Sequence, residues 1–329
     1  MKKSIIALFA AVATLTGCSL DVDSITPAAQ AIIDPGFGGT IQFAVWASGP
    51  WTAYVNADTA FGVTMEPLSG PEGETLITVT IPENLTTDDR AANLQFTCGK
   101  AATYTSVYQY RPYMFVDESY IAYAAKMKDG NWWTVENYGF LPEGKSLSKS
   151  DFSTNTGVWL PCETVVASDG TVEVSPSINS NTIDKQGYFF TPEQYLNNED
   201  GDDWRGVCSE GWHVATGGEW LELFCQYGNK ETGEAELAAL NNDNFNFYPY
   251  QYVIDGESYS DEVLNRKSDS LFKNMASIGM YGSSVYWDDD NILAAVIHNT
   301  EERTYVSLEP VSKNNGMNVR CVRDKEQPE

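Results

Sequence analysis

The thiol of Cys18 is the side chain of this sequence best placed for a defined covalent reaction. It follows Leu15-Thr16-Gly17, an apolar run from Ile5 to Leu15 and a Lys2-Lys3 start. A positive start, an apolar stretch too short to span a bilayer and a small residue before the cut are the features of an export signal. A cysteine at the cut is the acceptor for lipid. Residues 1–17 are therefore read as a leader, and the mature chain is expected to start at Cys18 with two or three acyl chains, because a single chain gives only marginal membrane binding. The membrane, reached through this anchor, is the first expected partner. The expected location is that of an outer-membrane lipoprotein exposed at the cell surface, with the periplasmic face as the other orientation.

Few other residues are equipped for catalysis. General acid–base work needs a group titrating near neutrality with a partner in hydrogen-bond reach. His213 and His298 are the two histidines of the chain, neither has a partner legible in the sequence, and His213 reads as a packed residue at the start of a helix. With 46 Asp and Glu residues, some carboxylate pair must fall at glycosidase spacing by chance, so carboxylate content alone says nothing; a hydrolase would need a cleft with two carboxyls about 5 to 9 Å apart. Six cysteines become an odd number once Cys18 is acylated, none of them in Cys-x-x-Cys spacing. That argues against structural zinc and leaves disulfides as the default for an exported chain. The oxygen-rich segments 197–203 and 288–291 could hold calcium, but neither has EF-hand spacing, and solvated turns are the preferred reading. No cofactor, metal or enzyme activity is expected.

What remains is binding. An aromatic face offers apolar contact to a sugar ring while its edge stays wet, which makes Trp46, Trp51, Tyr54, Tyr248 and Tyr250 the candidate glycan contacts. Trp51 is in phase with Ala53 and Val55, so a place in the core competes for it. Trp46 is out of phase with Ile41, Phe43 and Val45 and is the better exposed candidate. Phe245 and Phe247 alternate like a strand and are read as core. The net charge of −26 repels nucleic acid and anionic headgroups, so the expected partners are polysaccharide or other surface proteins.

The elements that must position these residues suggest two domains. Residues 18–30 are polar and read as a tether reaching roughly 40 Å when extended. Residues 31–112 read as a β-sandwich: Ile41, Phe43 and Val45, Trp51 to Val55, Ile77 to Ile81, Ala92 to Cys98 and a last strand from Thr103 to Gln109 all alternate, with Gly and Pro turns between. Cys98 falls on the inward face. Residues 113–324 mix strands with short helices, and 325–329 form a tail. Thr216 and Glu219 make a capping box, and the helix that follows carries Trp220, Leu223, Phe224 and Tyr227 on one face. Gly228 is expected to stop it in a left-handed conformation. A second short helix is expected within Thr232–Leu240.

Two resemblances follow from these residues. Trp51-Thr52-Ala53-Tyr54-Val55, Ser69-Gly70, Thr75 to Ile81, Glu83-Asn84 and Val107-Tyr108-Gln109 stand in an order that resembles a BACON domain, an immunoglobulin-like module of surface and secreted proteins. The resemblance implies glycan binding, or spacing of other domains from the surface. Trp133-Thr134-Val135-Glu136-Asn137, Cys208 to His213, Glu219-Trp220, Gly282-Ser283-Ser284 before Tyr286-Trp287, and Val319-Arg320-Cys321-Val322 resemble the Fibrobacter succinogenes major paralogous domain family. That family implies a C-type-lectin-like α+β fold and, from the head and tail of its pattern, a Cys208 to Cys321 disulfide. Asp23-Ser24-Ile25, Asp58-Thr59-Ala60 and Asp269-Ser270-Leu271 also resemble a bacterial O-glycosylation sequon. The expectation is thus an all-β immunoglobulin-like sandwich followed by an α+β lectin-like domain, in a lipid-anchored, non-catalytic surface protein that binds glycan. The alternative is an accessory subunit of a surface fibre or outer-membrane complex.

Overall fold

The computed structural model describes residues 6–9, 23–56, 61–148, 156–159, 162–166, 172–176, 187–196, 205–247, 278–300 and 302–325. Strands dominate, and helices are few and short. The chain divides into two compact units, Met1–Tyr113 and Met114–Glu329.

In the first unit the strands are β1 (Ile6–Phe9), β2 (Ile25–Pro27), β3 (Ala29–Asp34), β4 (Gly39–Ala47), β5 (Trp51–Val55), β6 (Thr64–Glu66), β7 (Ser69–Gly70), β8 (Gly73–Ile81), β9 (Arg90–Cys98) and β10 (Ala101–Gln109). They form a six-stranded sheet in the order β1-β3-β10-β9-β5-β7 and a four-stranded sheet in the order β2-β4-β8-β6. Their inward residues share one core. Alternation is the cause: Phe43 and Val45 from one sheet meet Leu94 and Phe96 from the other, and Phe43 and Phe96 pack edge to face at 6.5 Å. The tether is shorter than expected, because Ile25 and Ala29 are already buried strand residues. Loss of the leader would remove β1 and make β3 an edge of its sheet.

The second unit contains β11 (Tyr113–Phe115), β12 (Ile121–Lys126), β13 (Trp132–Thr134), β14 (Val158–Trp159), β15 (Cys162–Val166), β16 (Val172–Pro176), β17 (Phe189–Phe190), α1 (Pro192–Leu196), β18 (Trp212–Val214), α2 (Gly217–Tyr227), β19 (Gly228–Asn229), β20 (Glu234–Glu236), α3 (Leu237–Asn242), β21 (Ile278–Tyr286), β22 (Asn291–Asn299), β23 (Thr304–Ser312) and β24 (Cys321–Arg323). Two five-stranded sheets, β11-β12-β13-β24-β18 and β19-β20-β23-β22-β21, are accompanied by the pairs β14-β17 and β15-β16. The last strand lies inside its sheet, between β13 and β18, so Val322 and Cys321 are fully buried.

Helix α2 carries the capping box expected of Thr216 and Glu219 and buries Trp220, Leu223, Phe224 and Tyr227. Trp220 is the hub of the core: its ring lies 4.7 Å from Trp133 and within 6.4 Å of Phe224, Phe245, Phe247 and Tyr281.

Three expectations change. Gly228 is extended, with φ −164°, and begins β19; glycine is needed because a Cβ there would overlap the Glu234 carbonyl of β20. Residues 234–236 are strand instead of helix, because Ala235 pairs with both Gly228 and Val306, and pairing overrides a weak helical preference. Phe245 and Phe247 are core but not strand: Asn244 and Asn246 adopt positive φ of 62° and 52°, a conformation asparagine tolerates better than most residues.

Candidate functional site

Period-two alternation decides which aromatics of the first unit can touch a ligand. Trp51 cannot: it is 2% exposed, packed on Phe96 and under Gly70, and its place among the candidate contacts is corrected to core. Trp46 is 48% exposed on the outer side of β4, between Thr26 and Glu74 on the neighbouring strands. Tyr54 is 52% exposed on the outer side of β5. The two rings therefore stand on different sheets and do not form one platform.

Tyr54 belongs to a row that the sequence did not announce. It stands opposite Gln95 of β9, which in turn stands opposite Tyr104 of β10. Tyr104 is 61% exposed, and Tyr108 is exposed on the same side of β10. The Tyr54 hydroxyl donates to Gln95 Oε1. One row on, Ser106 Oγ donates to Asn93 Oδ1 at 3.0 Å, and on the other side the Thr52 and Thr97 hydroxyls meet at 2.9 Å. Strands about 4.8 Å apart put Tyr54 and Tyr104 roughly 10 Å apart, and four residues along a strand put Tyr108 roughly 13 Å further along. Period two would have found Tyr104 and Tyr108 as outward residues; their row with Tyr54 needs the register.

In the second unit His213 has partners that the sequence hid. Its Nδ1 is 2.6 Å from Asp324 Oδ1, and its Nε2 is 3.0 Å from both Glu219 carboxylate oxygens. Both nitrogens face carboxylate oxygens, an arrangement that favours the protonated ring. Burial works against that charge, but the bonds to Glu219 and Asp324 outweigh it and raise the His213 pKa. Burial also opposes the Glu219 charge and is outweighed by His213 and Thr216, leaving that carboxyl below its ordinary range. The ring is thus engaged by a neighbouring carboxylate at each of its nitrogens. His298 stacks on Tyr305, and its Nε2 meets Ser307 Oγ at 3.1 Å and Glu309 Oε1 at 2.8 Å. Both partners address the same nitrogen, so the ring does not link them as in a nucleophile–base–acid triad.

Cys208 and Cys321 are joined by a disulfide with a Cα–Cα distance of 5.9 Å, the pairing the motif order implied. Next to it Arg320 is fully buried and donates to Asn137 Oδ1 and to the carbonyls of Thr134, Phe245 and Asn246. It thereby holds the turn that carries Phe245 and Phe247. Asp288 caps its own hairpin turn, accepting from the backbone N–H groups of Asp290 and Asn291. Among the described residues no group of three or more His, Cys, Asp or Glu is placed to hold a metal ion. Cys18, Tyr248, Tyr250, the 197–203 segment and the sequons at 58–60 and 269–271 lie outside the described residues. Ser24 of the remaining sequon is partly buried.

No family model matches the chain, and no curated protein does. Among solved structures it is similar to a Bacteroides ovatus GH5 xyloglucanase in complex with a XXXG heptasaccharide, at 15% identity and a TM-score of 0.26, over 53% of this chain and 33% of that one. It is also similar to domains 4 and 5 of the S-layer protein SbsC, at 13% identity and a TM-score of 0.20, over 27% and 46% of the two chains. A chaperone–tip adhesin complex of CFA/I fimbriae matches at 9% identity and a TM-score of 0.23, over 46% and 82%. The chain thus spans a third of the xyloglucanase and less than half of the S-layer fragment, and likenesses this slight carry no argument about fold or function.

Proposed function

We propose that this is a lipid-anchored cell-surface protein that holds glycans without transforming them, built as an immunoglobulin-like sandwich followed by an α+β, C-type-lectin-like module. One observation carries the reading: Trp46 and Tyr54 present exposed rings on the outer sides of regular strands, where sugar rings can stack, while Trp51 and Phe96 beneath them are buried. An aromatic ring offers a sugar apolar contact area while its edge stays wet, which suits weak, repeated contacts with a polymer. The export signal and Cys18 support the location, and the commitment of both histidines to neighbouring side chains supports binding over turnover. A glycan array probed with the mature chain tests this. The expected result is a defined set of bound glycans and a weaker signal in Trp46→Ala or Tyr54→Ala. Unchanged binding in both variants contradicts the assignment to these rings, and an empty array together with a native high-mass assembly supports the accessory-subunit alternative.

A further inference from the structure

We infer that the glycan contact is the outer face of the six-stranded sheet, centred on the Tyr54–Gln95–Tyr104 row with Tyr108 as a third ring, and that its ligand is an uncharged polysaccharide. The inference rests on the glycan-binding reading above and names both the surface and the ligand class. Three observations meet on this face. The first is charge. In a chain with 46 acidic residues, the outward positions of β3, β5, β9 and β10 carry only alanine, isoleucine, threonine, tyrosine, asparagine, glutamine and serine. The outer side of the other sheet, by contrast, carries Glu66 and Glu74. Such outward positions offer no counter-charge to a uronate, sulfate or ammonium group, and have no charge of their own to desolvate when a neutral ligand binds.

The second observation is the direction of the hydrogen bonds. Tyr54 donates to the carbonyl oxygen of Gln95, and Ser106 donates to that of Asn93. Each amide oxygen therefore has a donor from the same face, which leaves the NH2 groups of two outward-phase residues as the donors the amides can offer. Amide donors between aromatic rings suit a polyol, whose hydroxyl and ring oxygens accept hydrogen bonds while its C–H faces lie on the rings. The third is preorganisation. The bond from Tyr54 to Gln95 favours one orientation of the ring before any ligand arrives, which lowers the ordering cost of binding. The rings are separated by amides and hydroxyls and form no continuous apolar patch of the kind that marks a protein interface. Their spacing, roughly 10 Å across the strands and 13 Å along them, is the footprint of a short stretch of polysaccharide.

Affinity electrophoresis of the mature chain tests the inference, in gels containing soluble β-glucan, mannan or starch, or the charged polymers polygalacturonate and alginate. The expected result is retardation by at least one neutral polymer and by neither charged one. Tyr104→Ala should weaken it severalfold, Tyr54→Ala with Tyr104→Ala further, and Tyr104→Phe little. Retardation that survives the double substitution overturns this face and leaves glycan binding standing. Retardation by polygalacturonate or alginate alone overturns the neutral class. No retardation by any polymer overturns both this inference and the function it rests on. Dissociation of a dimer by the tyrosine substitutions would assign the face to a second copy of the chain instead.

Discussion

His213 ties together parts of the second unit that lie far apart in sequence. Through Glu219 it holds the first turn of α2, and through Asp324 it holds the segment that follows β24. Its raised pKa sets the sign of a pH effect. The stabilisation is complete below the unfolded value of about 6.5 and is lost as pH rises through the folded value. Glu219, with a depressed pKa, contributes above the ordinary carboxyl range and loses its contribution as pH falls through its own folded value. Denaturant unfolding should therefore find His213→Gln destabilised at pH ~6, with the gap to the unaltered protein narrowing towards pH ~9. A gap that stays constant across that range would mean that the imidazolium is not what holds the contact. The capping role of Glu219 was legible, because Thr216 stands three residues before it. Its bond to His213 was not, and Asp324, 111 residues away from the histidine, gave no local sign at all. Trp51 shows the opposite case: its phase with Ala53 and Val55 pointed to the core that it fills.

At the scale of elements, alternation and capping were enough to place β4, β5, β8, β9, β10 and α2, because each rests on residues close in sequence. Pairings between distant segments were what the sequence lacked. The stretch Glu234–Glu236 is a strand only because Gly228–Asn229 and Tyr305–Val306 flank it. Tyr104 and Tyr108 were readable as outward residues of the last sandwich strand, yet the row that joins Tyr104 to Tyr54 exists only through β9. The disulfide is the element-scale contact that motif order did supply. It closes a separation of 113 residues between the segment before β18 and the start of β24. Replacing both cysteines by serine should cost about 4 kcal/mol, read as a lower guanidinium midpoint for the second unit with no change in the first. A midpoint unchanged in the second unit would mean that the reduced chain is already held by the sheet around β24.

At the scale of the whole molecule, the acidic composition, the leader read in the sequence and the sheet face are the grounds for proposing a protein that meets uncharged material outside the cytoplasm. No helix among the described residues is long and apolar enough to cross a membrane; the attachment proposed, from the leader and the cysteine at its end, is the lipid on Cys18. The acidic character keeps anionic polymers away, and the uncharged outward positions of β3, β5, β9 and β10 are where the proposal seats neutral ones. Binding and turnover separate cleanly in one experiment: the mature chain is mixed with an insoluble neutral polysaccharide, the polymer is pelleted, and both protein and reducing sugar are measured in the supernatant over time. The account predicts that protein leaves the supernatant with the polymer, returns when soluble oligosaccharide of the same type is added, and releases no reducing ends. Protein that stays in solution, or reducing ends that accumulate in proportion to it, would contradict the account.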